Sequence, residues 1–188
     1  EFQKRALQIS EELGNKEGVA MSLGSIGYNY FNKGEYDQAL EYYTRSLAIC
    51  EEQGYKRKID LFLNMIGNIH LLESEYDQAA DYYTRSLKIK ERLGEELSLG
   101  TITNLYLANK HLGKEYDIQK INKLIAEADE IDYRTNFNLY ELLDDKLYLE
   151  KAYDQIQEKV GSMEDDIRET FLTYPIPRRI ILEWEGVS

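Results

Sequence analysis

Residues 35–54 read EYDQALEYYTRSLAICEEQG, and residues 75–94 read EYDQAADYYTRSLKIKERLG. The two stretches lie 40 positions apart and agree at 14 of 20 positions, which marks an internal repeat rather than a chance likeness. Forty residues upstream, KRALQISEELGNK at residues 4–16 shares Arg5, Leu7, Ile9, Glu11, Glu12, Gly14 and Lys16 with the corresponding stretch. Forty residues downstream, Glu115-Tyr116-Asp117 repeats the EYD opening. The period then slips: INKLIAEADEIDYR at residues 121–134 aligns at an offset of 78, and AYDQ at residues 152–155 is a weaker echo.

Each unit reads as two helices. In residues 36–53, Ala39, Leu40, Tyr43, Leu47 and Cys50 recur at three- and four-residue steps, one face of a 3.6-residue helix. In residues 19–31, Leu23, Ile26, Gly27 and Tyr30 do the same. Lys33-Gly34-Glu35 breaks the pattern, and a glycine there suits a helix C-terminus. The next unit repeats this with Leu63, Ile66, Gly67 and His70, then residues 76–93. Gly14, Gly54 and Gly94 close successive second helices at one phase. Strands are excluded because period-two alternation is absent and the segments are too long.

Composition narrows the function. The chain has 188 residues and a formal net charge of −12. Such acidity argues against nucleic-acid backbones and anionic membranes as partners. With 43% hydrophobic residues and 16 Tyr it can build a core, and no apolar run is long enough to span a membrane. A single Cys excludes an intramolecular disulfide and a cysteine-only zinc site.

The pattern Ile26-Gly27-x-x-Tyr30 followed by Ala39-x-x-x-Tyr43 resembles the tetratricopeptide repeat, and Ile66-Gly67-x-x-His70 with Ala79-x-x-x-Tyr83 is a second copy. The resemblance implies an all-α fold: a right-handed α-solenoid of antiparallel helix pairs. Gly27 and Ala39 are expected where the two helices of a unit cross, Gly67 and Ala79 likewise, with Ala108 as the small residue of the third unit. Tyr43 and Tyr83 are expected to fill the gap towards the following unit. Leu23 and Leu63 stand where the family pattern has Trp. Glu51 and Glu91 replace its helix-ending Pro, so the second helix can run on and lengthen the period. HEAT-like repeats share the longer period, but the Gly/Ala pattern favours the tetratricopeptide repeat.

The expected organisation is a second helix of a truncated repeat at 1–17, repeats at 18–56, 57–96 and 97–132, a degenerate helical pair at 133–163, and a capping tail at 164–188. A half repeat and no initiator Met predict an excerpt of a longer protein. The tail holds both prolines, in Tyr174-Pro175-Ile176-Pro177, followed by Arg178-Arg179 and an apolar cluster with Trp184. A solenoid end exposes an apolar face, and the tail is expected to cover it, the alternative being a docking segment. Residues 165–184 are similar to segments that close such arrays on bacterial signalling proteins.

No catalytic motif is present in the sequence. Gly113-Lys114 lacks the glycine spacing of a phosphate loop, and there is no His-Glu-x-x-His pair. His70 replaces the pattern Tyr and reads as packing rather than as a metal ligand. Cys50 shares its phase with Ser10 and Lys90, which predicts a partly exposed helix end. Adjacent carboxylates such as Glu51-Glu52 and Asp144-Asp145 point about 100° apart on a helix and do not converge. Neither an enzyme, nor a metal site, nor a cofactor is therefore expected.

In stacked helix pairs the first helices line the concave face. Counting from Gly27, the outward positions are Met21, Gly24, Tyr28 and Phe31. From Gly67 they are Leu61, Asn64, Asn68 and Leu71, and Asn109 sits beside Ala108. An Asn amide offers donor and acceptor together, so a row of them could hold an extended peptide by its backbone. Met21, Tyr28, Phe31, Asn64, Asn68 and Asn109 form the candidate groove. Chaperone-binding members of the family clamp a carboxylate with Lys, and Gly24 and Asn64 stand where an early groove Lys would be expected. The reading is a cytoplasmic interaction module that binds a polypeptide partner or another domain of the parent chain, within a regulatory or signalling protein. The alternatives are a ligand sensor that changes curvature, and a spacer or oligomerisation unit.

Overall fold

A computed structural model describes residues 2–187. The fold is all-α: the described residues form eleven helices and no strand. The chain divides into two compact units, residues 1–97 and 98–188.

The first unit holds α1 (Phe2–Glu12), α2 (Lys16–Lys33), α3 (Tyr36–Gln53), α4 (Lys56–Leu72) and α5 (Tyr76–Leu93). Each helix packs on the next in chain order, as a solenoid requires. The turns are short because the glycines foreseen at the helix ends adopt the left-handed conformation, with φ of 77° at Gly34, 69° at Gly54 and 67° at Gly94. Each closes its helix with a paired backbone bond. At the end of α3, Gly54 N–H donates to Glu51 C=O at 3.3 Å and Tyr55 N–H to Cys50 C=O at 2.9 Å. The α4–α5 turn has the same bonds with Ser74 in the glycine position, at φ 63°.

Packing inside the unit rests on glycine meeting aromatic ring. A Cβ at Gly27 would stand 2.8 Å from the ring of Tyr43, and one at Gly67 would stand 2.8 Å from that of Tyr83. The absent side chain lets each ring lie flat against the partner helix. Tyr43 and Tyr83 are 1% and 0% exposed, and Ala39 and Ala79 beside them are fully buried. From the following repeat, Phe62 enters between Gly24 and Tyr43, its ring 6.4 Å from the Tyr43 ring. At their N-terminal ends, Lys58 of α4 and Glu17 of α2 pair at 2.5 Å. Helix α4 thus reaches α2 at two places, through Lys58 and Phe62.

The second unit holds α6 (Leu99–His111), α7 (Ile118–Glu127), α8 (Tyr133–Leu143), α9 (Lys146–Gly161), α10 (Asp165–Thr173) and α11 (Pro175–Val187). Helices α7 and α8 start on side-chain caps: Asp117 accepts from Lys120 N–H at 3.0 Å, and Asp132 accepts from Arg134 and Thr135 N–H at 2.9 and 3.2 Å. Helix α6 packs on both α7 and α8, α8 on α9, and α11 on α9 and α10. Lys110 on α6 donates to the C=O groups of Glu141 and Leu142 at 2.8 and 3.1 Å, tying down the end of α8. Ala108 is fully buried.

The expected capping tail forms the two helices α10 and α11. Pro175 opens α11, where its missing N–H costs nothing, and Tyr174 before it is extended at φ −63°, ψ 140°. Phe171 and Ile180 join Phe137, Leu149, Ala152, Ile156 and Val160 in one core. Trp184 stacks on Tyr153 at 5.3 Å. Arg179 lies over the Phe137 ring at 5.0 Å and pairs with Glu141.

Candidate functional site

The exposed groove candidates of the first unit lie on α2 and α4. Met21 and Tyr28 are seven residues apart, two helical turns, and so share a face of α2. They are 39% and 42% exposed, and Leu61 on neighbouring α4 is 37% exposed. Leu61 follows Met21 by 40 residues, at the same place in the next repeat, and α4 touches α2 through the Gly24–Phe62 contact and the Glu17–Lys58 pair. Leu71, further along α4, is half-buried.

The other groove candidates sit differently. Phe31 is a core residue, 6% exposed, with its ring 5.9 Å from that of Tyr36. Gly24 is covered by Phe62. Both depart from the outward placement expected from spacing, because the α2–α3 turn folds Tyr36 back over Phe31 and α4 supplies Phe62. Asn68 is half-buried and its Oδ1 accepts the Tyr83 hydroxyl at 2.7 Å. Asn109 is half-buried on α6, in the second unit.

Asn64 belongs to a polar cluster that spacing alone did not suggest. Its Nδ2 donates to Ser86 Oγ at 2.5 Å and to Asp60 Oδ1 at 3.3 Å, and Ser86 Oγ donates to Asp60 Oδ1 at 2.5 Å. Lys90 Nζ stands 3.8 Å from Asp60 and 3.9 Å from Glu95, which also pairs with Arg57 at 2.6 Å. The preceding repeat has Ala20, Gly24, Ser46 and Cys50 at these positions. Three of the four change from small or apolar to polar together, and that concerted change was the available signal.

Cys50 is fully buried rather than partly exposed as expected. Burial pushes its thiol pKa up, against the opposing pull of Lys58. That favours the unreactive neutral thiol. Tyr42 and Tyr82, which precede the buried Tyr43 and Tyr83, pack within their own repeats. Tyr42 stacks on Tyr30 at 5.5 Å with Arg45 over its ring, and Tyr82 stacks on His70 at 5.3 Å with Arg85 over its ring.

Two family models match the chain, both described as tetratricopeptide repeat, one over residues 1–52 and the other over residues 63–97. Residues 1–52 and 63–97 are thus tetratricopeptide repeats. Both matched stretches lie in the first unit. No curated protein matches the chain. Tetratricopeptide repeats generally mediate protein–protein interaction and are typically non-catalytic scaffolds. No helix among the described residues is long and apolar enough to cross a membrane.

Proposed function

We propose that the α2–α4 face binds an extended polypeptide segment and that the chain serves as an interaction scaffold within a larger cytoplasmic signalling or regulatory protein. The observation that carries this reading is the exposure of three large apolar side chains, Met21 and Tyr28 on α2 and Leu61 on α4. Apolar side chains of a partner would pack there, where burial contributes about 25 cal/mol per Å² of apolar surface. The net charge of −12 would favour a partner with basic flanks, chiefly through faster association.

The test compares the wild type with a Met21→Glu, Tyr28→Ala, Leu61→Glu variant as bait for partner capture. All three residues are exposed, so the helical circular-dichroism signal and thermal midpoint should hold. Loss of specifically captured partners supports the reading. Unchanged recovery by the folded variant rejects it.

A further inference from the structure

The α4–α5 turn carries a set of donor atoms with no counterpart in the preceding repeat. His70, Glu73 and Glu75 each bring one ligand atom into a group whose members all lie within 4.8 Å of one another. His70 Nδ1 stands 2.6 Å from Glu75 Oε2. The imidazole is 9% exposed and its plane is set by stacking on Tyr82 at 5.3 Å and 14°. Its aim is therefore fixed by packing before any ion arrives, as in sites where a supporting shell orients the ligating histidine. The left-handed Ser74 reverses the chain between the two glutamates, and both carboxylates end near the imidazole.

The α2–α3 turn serves as an internal control. Tyr30 stacks on Tyr42 at 5.5 Å and 11°, the same arrangement with a ring that cannot ligate. Lys33 and Glu35 occupy the places of Glu73 and Glu75. The backbone turn and the ring stack are thus common to both repeats, while the three-donor set is particular to the second.

We infer that His70, Glu73 and Glu75 form a binding site for a borderline divalent transition-metal ion, Zn²⁺ above all. One imidazole nitrogen with two carboxylate oxygens suits such ions, whereas Ca²⁺ and Mg²⁺ prefer more numerous, all-oxygen ligands. Bonds of about 2.0–2.1 Å in a tetrahedral site place ligand atoms about 3.3 Å apart. The 2.6 Å pair must open slightly and the wider separations must close. The glutamates are exposed at the turn, so side-chain rotation is enough. Water would complete the coordination. The bound ion would clamp the end of α4 to the start of α5 and stiffen that helix pair. This inference is independent of the peptide-binding reading.

The experiment titrates ZnCl₂ into the whole chain by calorimetry at pH 7.5, with thermal unfolding in parallel. Saturable 1:1 binding and a higher unfolding midpoint with Zn²⁺ are expected, with at least tenfold weaker response to Mg²⁺ or Ca²⁺. His70→Tyr installs the residue of the preceding repeat and keeps the stack on Tyr82, and Glu73→Lys alters an exposed position. Each should weaken Zn²⁺ binding at least tenfold, while His111→Gln should leave it unchanged. Absence of saturable binding overturns the inference, as does equal binding by wild type and Glu73→Lys, which would mark adventitious surface carboxylates.

Discussion

The hydroxyl of Tyr83, a fully buried residue of α5, donates a 2.7 Å hydrogen bond to Oδ1 of Asn68 on α4. The ring of the same tyrosine occupies the space that a side chain at Gly67 would take. Two consecutive residues of α4 are thus tied to one aromatic side chain, Gly67 by shape and Asn68 by polarity. Asn68, a candidate for partner contact, already serves the fold through its amide oxygen.

Tyr83→Phe removes the hydroxyl and keeps the ring. It should cost about 1 kcal/mol, the net worth of a typical hydrogen bond, and Asn68→Ala should cost about as much because it removes the same bond. Urea unfolding of the two single variants and the double variant measures the coupling between them. A coupling of zero would show that the bond contributes nothing.

Gly67→Leu should destabilise the chain by about 3 kcal/mol or more. Overpacking costs about 1–3 kcal/mol where neighbours can yield, and Tyr83 has no room to yield. The gain in helix propensity over Gly, about 1 kcal/mol at most, does not offset this. Chemical denaturation reads the outcome.

Ser74→Gly should stabilise the chain by about 1 kcal/mol. Ser74 holds φ 63°, a conformation that costs an L-residue about 1–2 kcal/mol and glycine far less. Gly34 fills the same position in the preceding repeat with the same closing bonds. The thermal midpoint should rise, and a fall would mean that the Ser74 side chain contributes more than its backbone strain costs.

Trp184 is the one tryptophan, which makes α11 directly observable. Arg179→Ala removes both the contact with the Phe137 ring and the pair with Glu141. Its fluorescence should shift to the red and become more readily quenched by iodide, before the global unfolding transition. An unchanged spectrum would show that Ile180 and Phe171 alone seat the helix.

Burial holds the Cys50 thiol above its ordinary pKa, so the native state binds that proton more tightly than the unfolded chain. The thiol is protonated in both states below its ordinary value. As pH rises through that value the unfolded chain ionises first, and stability should fall. Wild type should therefore lose stability more steeply than Cys50→Ala between about pH 8 and 10. Parallel slopes would show that the thiol does not contribute.

The residue pattern determined a great deal by itself. The 40-residue period, the apolar steps and the glycines at 14, 54 and 94 specify helices, their ends and their pairing, because these features are local and repeated. The inward direction of Tyr43 and Tyr83 follows from phase alone, and burial agrees with it. Phase places a residue on its own helix and says nothing of what another helix puts there. Tertiary structure therefore decided that Tyr36 packs on Phe31, that Phe62 covers Gly24, and that Asn64 joins Asp60 and Ser86. It also decided that the proline-containing end is helical and seated on α9, and that His70, Glu73 and Glu75 converge. These outcomes depend on side chains brought together by helix packing and by a left-handed turn at a serine, neither of which a periodic pattern encodes.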